Sequence, residues 1–201
     1  MFHRGMHDYG DDGRDLKIEG YIELAFNWMV GTMFSTKLPD INRISFVDIG
    51  CDYGFAMSCA QDYGFKEVYG LEPNPGTSPE NFRHLREKIC SHTIEDCALD
   101  QFGDSPRVYF LNHVLEHFEA PVTTIRKLYS DPLFAGIFIA TPDAEDGDDD
   151  FIYRDSHLSI FTQQWHERIG SKLMPASRLV SLQSPTLREN KKELWAFYAR
   201  E

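Results

Sequence analysis

Residues 44–55, Ile-Ser-Phe-Val-Asp-Ile-Gly-Cys-Asp-Tyr-Gly-Phe, constrain the chain more than any other stretch. The apolar run over 44–49, with Asp48 near its end, reads as a buried strand. Gly50 and Gly54 then frame a tight loop, and an amphipathic segment over 55–63 follows. A buried strand, a glycine loop and a helix start together let backbone N–H groups approach a ligand closely at a helix N-terminus. A second strand, Val68-Tyr69-Gly70-Leu71, ends in Glu72. An acid at the tip of the second strand can accept hydrogen bonds from both hydroxyls of a ribose. The expectation is a nucleoside-cofactor site.

Composition narrows the class. A chain of 201 residues suits one domain with a sheet covered on both faces. No apolar run reaches the roughly 18 residues of a membrane span. Residues 1–17 are charged and lack an apolar signal core, so a cytoplasmic location is expected. Cys51, Cys59, Cys90 and Cys97 show no Cys-x-x-Cys pairing, which disfavours zinc fingers and disulfide frameworks. The formal net charge of −12 opposes binding to phosphate backbones. Arg83, Arg86 and Lys88 read as a solvated helix face. Small-molecule or protein substrates are favoured over nucleic acid, and the sequence leaves the oligomeric state open.

The remaining pattern alternates strands and helices. A loose arm over 1–17 precedes a helix over 18–33, with Ile22, Ala25, Phe26, Met29 and Val30 at helical spacing. Further helices are expected over 55–64, 78–88 with a Ser78-Pro79-Glu80 start, 121–130, and 162–169 capped by Thr162. Strands are expected over 89–94, 108–112, 136–141, 178–182 and 193–200. Alternation of this kind implies an α/β fold with a mainly parallel sheet. The two closely spaced late strands imply an antiparallel hairpin at the sheet edge. The acidic run over 143–150 places its glycine at the fifth position rather than the sixth that an EF-type calcium loop needs, and reads as a solvated loop.

Five blocks in this order carry a family resemblance: Val47 to Gly54, Tyr69-Gly70-Leu71-Glu72-Pro73, Asn112-His113-Val114-Leu115-Glu116-His117-Phe118, Ala140-Thr141-Pro142, and His157 to Thr162. Over residues 44–161 the chain resembles the class I S-adenosylmethionine-dependent methyltransferases. Its nearest likeness is to the type 11/type 23 small-molecule branch typified by ubiquinone-biosynthesis O-methyltransferases. The resemblance implies a Rossmann-like, doubly wound, mostly parallel seven-stranded sheet with an antiparallel C-terminal edge hairpin. It also implies an N-terminal arm and helix over residues 1–40 covering the acceptor pocket, and a methyltransferase domain over residues 41–201. By it, Asp48, Gly50 and Gly54 form the methionine-side loop and Glu72 holds the ribose. Asp96 faces the adenine amino group, with Glu95 as its competitor, and Asn112 and His113 line the cofactor and face the acceptor. Asp52 stands where the family usually has glycine; it either shapes the loop or adds an anion beside the methionine ammonium, and is counted with the cofactor-binding residues.

Methyl transfer from a sulfonium is an in-line displacement, so alignment in a dry pocket is the protein's main task. A hydroxyl acceptor also benefits from a base, and His113, His117 and His157 are the candidates. His113 ranks first because it follows the fourth strand directly, and ligands in such sheets bind beyond the strands' carboxyl ends. His113 to His117 also spells H-x-x-E-H, the inverted zinc-protease signature, but it follows an apolar strand rather than opening a long helix. The resemblance to some relatives in the ubiquinone branch implies that Glu116 and His117 could hold a divalent cation. The nearby acids give no clear ligand set, so no metal ligands are assigned. Two other readings use the same sheet: a nicotinamide-dependent oxidoreductase, which lacks the G-x-G-x-x-G spacing here, and a degenerate cofactor-binding or scaffold protein, for which Asp52 is the support.

Overall fold

The computed structural model describes residues 14–75, 80–145, 156–188 and 191–201. Among the described residues there are four α-helices: α1 (Arg14–Met33), α2 (Phe55–Asp62), α3 (Pro121–Tyr129) and α4 (Gln163–Lys172). The strands are β1 (Ser45–Ile49), β2 (Glu67–Leu71), β3 (Ile89–Cys90), β4 (Arg107–Asn112) and β5 (Phe134–Pro142). The chain closes with β6 (Ser177–Gln183), β7 (Thr186–Arg188) and β8 (Lys191–Arg200). Seven of them form one path in the order β3-β2-β1-β4-β5-β8-β6, and the short β7 pairs with β8. The first five run parallel, whereas β8 runs antiparallel between β5 and β6. This is the expected Rossmann-like α/β sheet with its C-terminal hairpin at the edge. Its last strand inserts one place inward and leaves β6 outermost.

The period-two pattern of each strand decides which face receives which side chain. Phe46, Val108, Phe110, Phe138, Ala140, Trp195 and Phe197 join α1 and α2 in one core. Val47, Ile49, Tyr109, Leu111, Ile137, Ile139, Ala196 and Tyr198 join α3 and α4 in the other. On the first face Phe110 stacks on Phe138 with ring centres 4.8 Å apart, and Phe26 of α1 meets Phe46 edge-on at 5.5 Å. Each such fully buried side chain contributes about 1.5–3 kcal/mol. Because Ala25, Phe26, Met29, Val30 and Met33 lie in this core, α1 is part of the packed domain rather than an appended arm.

Thr162 caps α4 as expected, its Oγ1 accepting from the Trp165 N–H at 3.1 Å. Two expectations are corrected. Glu80–Lys88 is a 3-10 helix, not an α-helix. Its buried side chains, Phe82 and Leu85, stand three apart, which suits three residues per turn. Arg83, Arg86 and Lys88 on it are exposed. The strand expected over 89–94 pairs for only two residues, Ile89 and Cys90, because Ser91 and His92 turn out to solvent at the sheet edge. The Ser78-Pro79 helix start, the arm before Arg14, and most of the acidic run lie outside the described residues. Among the described residues no helix is long and apolar enough to cross a membrane.

Candidate active site

At the carboxyl ends of β1 and β2 the backbone shapes a loop. The Gly50 and Cys51 N–H groups both reach the Leu71 carbonyl, at 2.7 and 3.3 Å, and the Gly54 N–H donates to the Cys51 carbonyl at 2.8 Å. Gly50 and Gly54 have φ of 75° and 98°, and Asp52 between them has φ of 50°. Asp52 therefore keeps the left-handed backbone that glycine adopts freely, and aspartate is among the residues that tolerate it. Glycine is required at 50 for a second reason: a Cβ there would lie 2.7 Å from Val114 Cγ2. Gly70 is equally confined, since a Cβ would sit 2.5 Å from Cys51 Sγ. Tyr53 ties the loop to α1, its hydroxyl donating to Glu19 Oε1 at 2.9 Å, and its ring packs on Phe82 at 5.3 Å.

Three carboxylates surround this loop. Asp48 is buried, and burial first, then Glu72 and Asp52, raise its pKa well above the usual carboxylate range. Glu72 follows β2, with Oε1 accepting from the Asn74 N–H at 2.9 Å and its own N–H on the Cys90 carbonyl at 3.0 Å. A site with three acids suits a ligand carrying hydroxyls and positive charge. Asp96 is exposed on the segment after β3, where its carboxylate accepts from the Thr93 hydroxyl at 3.1 Å. The structure does not draw it to the other acids. Asn112 ends β4, half-buried and opposite Ala140.

The second half of the site lies beyond β4 and β5. His113 takes φ of 54°, and its N–H donates to the Ala140 carbonyl at 3.0 Å. Its ring lies between two carboxylates: Nδ1 is 3.2 Å from Glu116 Oε1 and Nε2 is 3.0 Å from Glu193 Oε1. Burial pushes its pKa down, but Glu193 and Glu116 outweigh it and raise the pKa to about 10. His113 is thus an imidazolium at neutral pH. Each of its two ring nitrogens is engaged by a carboxylate.

Glu116 is buried, and its Oε2 has no hydrogen-bond partner. His113 holds its pKa low against the opposing effect of burial, so it is an anion. The Glu116 carbonyl accepts from the Leu158 and Ser159 N–H groups at 2.8 and 3.2 Å, which lays His157 beside the 3-10 turn Leu115–His117. His117 and His157 meet edge-on at 5.0 Å. His117 Nδ1 is 2.8 Å from the Ser156 carbonyl. A carbonyl only accepts, so Nδ1 carries the proton and Nε2 keeps a lone pair. Glu116, His117 and His157 each bring one ligand atom within 4.8 Å of the others.

This cluster fits a divalent cation. It offers an unpartnered buried carboxylate oxygen and a histidine whose other nitrogen is fixed by a carbonyl, the usual outer partner of a metal-bound imidazole. The sequence assigns no metal ligands here, and the cluster forms only because His157 reaches Glu116 and His117 through tertiary backbone hydrogen bonds. Glu193 was also missed: it lies far along the chain in a strand read only for its apolar alternation. His113 stands outside the cluster, so the H-x-x-E-H letters do not form the two-histidine face of a zinc protease.

No protein-family model and no curated protein matches the sequence. Solved structures match the fold. Magnesium protoporphyrin IX methyltransferase from Synechocystis, with bound S-adenosylmethionine, superposes with a TM-score of 0.63 at 13% identity, over 96% of this chain and 88% of that one. The Burkholderia thailandensis 1,6-didemethyltoxoflavin N1-methyltransferase, with its acceptor and S-adenosylhomocysteine bound, gives 0.68 at 12% identity, over 93% and 81%. The small RNA methyltransferase HEN1 gives 0.66 at 14% identity, over 89% of this chain and 26% of that one. The fold is therefore that of the S-adenosylmethionine-dependent methyltransferases.

Proposed function

We propose that the chain transfers a methyl group from S-adenosylmethionine to a small-molecule acceptor. The observation that carries this reading is the left-handed backbone at residues 50, 52 and 54, with Glu72 one strand away on the same sheet edge, in a fold shared with cofactor-bound methyltransferases. In this reading Asp48, Gly50, Asp52 and Gly54 surround the methionine end, Glu72 accepts from the ribose hydroxyls, Asp96 serves the adenine and Asn112 lines the cofactor. S-adenosylmethionine supplies a methyl carbon on a sulfonium, with a neutral thioether as leaving group. The acidic loop complements the cofactor's positive charge. The net charge of −12 favours a small acceptor over a nucleic acid.

Glu116, His117 and His157 would hold a divalent cation beside the acceptor. Such an ion, when bound, lowers the pKa of a coordinated hydroxyl and orients it. Without the ion, the lone pair on His117 Nε2 is the best base, with His157 next; His113 serves as a fixed positive charge.

Calorimetric titration of the full chain with S-adenosylmethionine, S-adenosylhomocysteine and NAD tests the reading. Binding of the first two and not of NAD is expected. Binding of NAD alone would favour the oxidoreductase, and binding of none would favour a scaffold.

A further inference from the structure

We infer that Glu193, in β8, is a positioning residue for the proposed cation site: acting through His113, it determines which oxygen of Glu116 faces His117 and His157. The inference rests on the cation reading above and adds a residue that lies outside every motif of the sequence.

Glu193 is 8% exposed, and both of its oxygens are engaged. Oε1 takes His113 Nε2 at 3.0 Å, and Oε2 accepts from Trp195 Nε1 at 2.9 Å. Its backbone is fixed as well, pairing with Pro142 across the β5–β8 ladder and donating to the Pro185 carbonyl at 3.1 Å. The carboxylate is therefore held from both ends before it meets His113. His113 has its backbone set by the Ala140 carbonyl and its ring set by two carboxylates. A ring held at both nitrogens cannot turn without breaking a charge-assisted hydrogen bond. That ring occupies Glu116 Oε1 and leaves Oε2 as the unpartnered oxygen.

The consequence is a chain of orientation running from Trp195 through Glu193 and His113 to Glu116. Without the Glu193 contact, the His113 ring would be held at one nitrogen rather than two, and Glu116 would be free to turn either oxygen away from the two histidines.

The test uses the full chain and Co2+ as the probe, read by calorimetry and by the visible d–d absorption, with thermal melting to follow the fold. The variants are Glu193→Gln, which keeps an acceptor for Trp195, His113→Asn, which tolerates the positive φ, and the double variant. Wild type is expected to bind Co2+, and each single variant to bind it at least about tenfold more weakly, as outer partners of metal ligands typically do. The double variant is expected to be no weaker than His113→Asn alone, because the two residues act in series. Co2+ affinity equal to wild type in a folded Glu193→Gln or His113→Asn protein overturns the inference and leaves the cation reading standing. Additive losses overturn it too, since Glu193 would then act independently of His113. Failure of wild type to bind Co2+ overturns the cation reading and this inference with it.

Discussion

Two buried charged networks stand at opposite ends of β4. At its start, Arg107 pairs with Asp131 at 2.7 Å, donates from Nε to the Phe102 carbonyl and from Nη2 to the Gly103 carbonyl, and shares Asp131 Oδ2 with the Tyr109 hydroxyl at 2.5 Å. Every guanidinium nitrogen has a partner. Just past its end, His113 joins Glu116 and Glu193, and one carboxylate oxygen is left over. The first network is closed: both ionic side chains are 2% exposed. The second is open, with the His113 side chain 28% exposed. A closed network holds the fold. An open one retains a group that folding alone does not satisfy, and such a group is where a ligand contributes most.

If that contrast is sound, Asp131→Ala should have the largest effect on stability. It leaves the Arg107 guanidinium buried and uncompensated, at about 3–5 kcal/mol. Urea unfolding measures it; a loss under about 1 kcal/mol would mean the closed network contributes little to the fold.

A third buried polar group sharpens the comparison through pH. His166 Nε2 lies 3.4 Å from the Thr141 hydroxyl and Nδ1 3.4 Å from the Tyr198 hydroxyl, and burial lowers its pKa to about 3. Above its ordinary pKa of about 6.5 both folded and unfolded forms are neutral. As pH falls from there toward 3, the unfolded chain takes up a proton that the folded chain refuses. Stability should drop by about 2–3 kcal/mol between pH 7 and pH 4.5. Comparing urea midpoints of wild type and His166→Gln across this range isolates the effect; parallel pH profiles would show that His166 is not held neutral.

Next comes the open network. Glu116→Gln should weaken Co2+ binding by roughly 10–100-fold while costing less stability than Asp131→Ala. Equal loss of stability in the two variants would erase the distinction between the networks.

Across the sheet, Glu72→Ala should weaken S-adenosylmethionine binding about tenfold without unfolding, the equivalent of about 1.4 kcal/mol. Unchanged affinity removes Glu72 from the ribose. Asp52→Gly should produce the smallest change: the left-handed backbone is kept, so cofactor affinity should hold or rise slightly. A large fall would make the Asp52 carboxylate a direct contact.

What the sequence by itself determined is the part of the molecule written in local pattern. Alternating apolar residues assign β1, β4, β5 and β8 to a sheet with two covered faces, because a strand's side chains alternate by geometry alone. The glycines at 50 and 54 mark the loop, because only a few residues enter positive φ at low cost. Glu72 follows from its place at the end of β2. Residues 80–88 show the limit of pattern: two apolar contacts three apart suit either helix type, and packing chose the 3-10 form. Tertiary structure alone decided the histidines' chemistry. Whether His113 holds or gives up a proton depends on Glu193, eighty residues away in sequence and delivered by the β5–β8 ladder. Whether Glu116, His117 and His157 meet depends on a loop that hydrogen-bonds to the Glu116 backbone. A side chain's charge is set by its neighbours in space, and an antiparallel strand inserted at position six of the sheet order brings neighbours that no local spacing records.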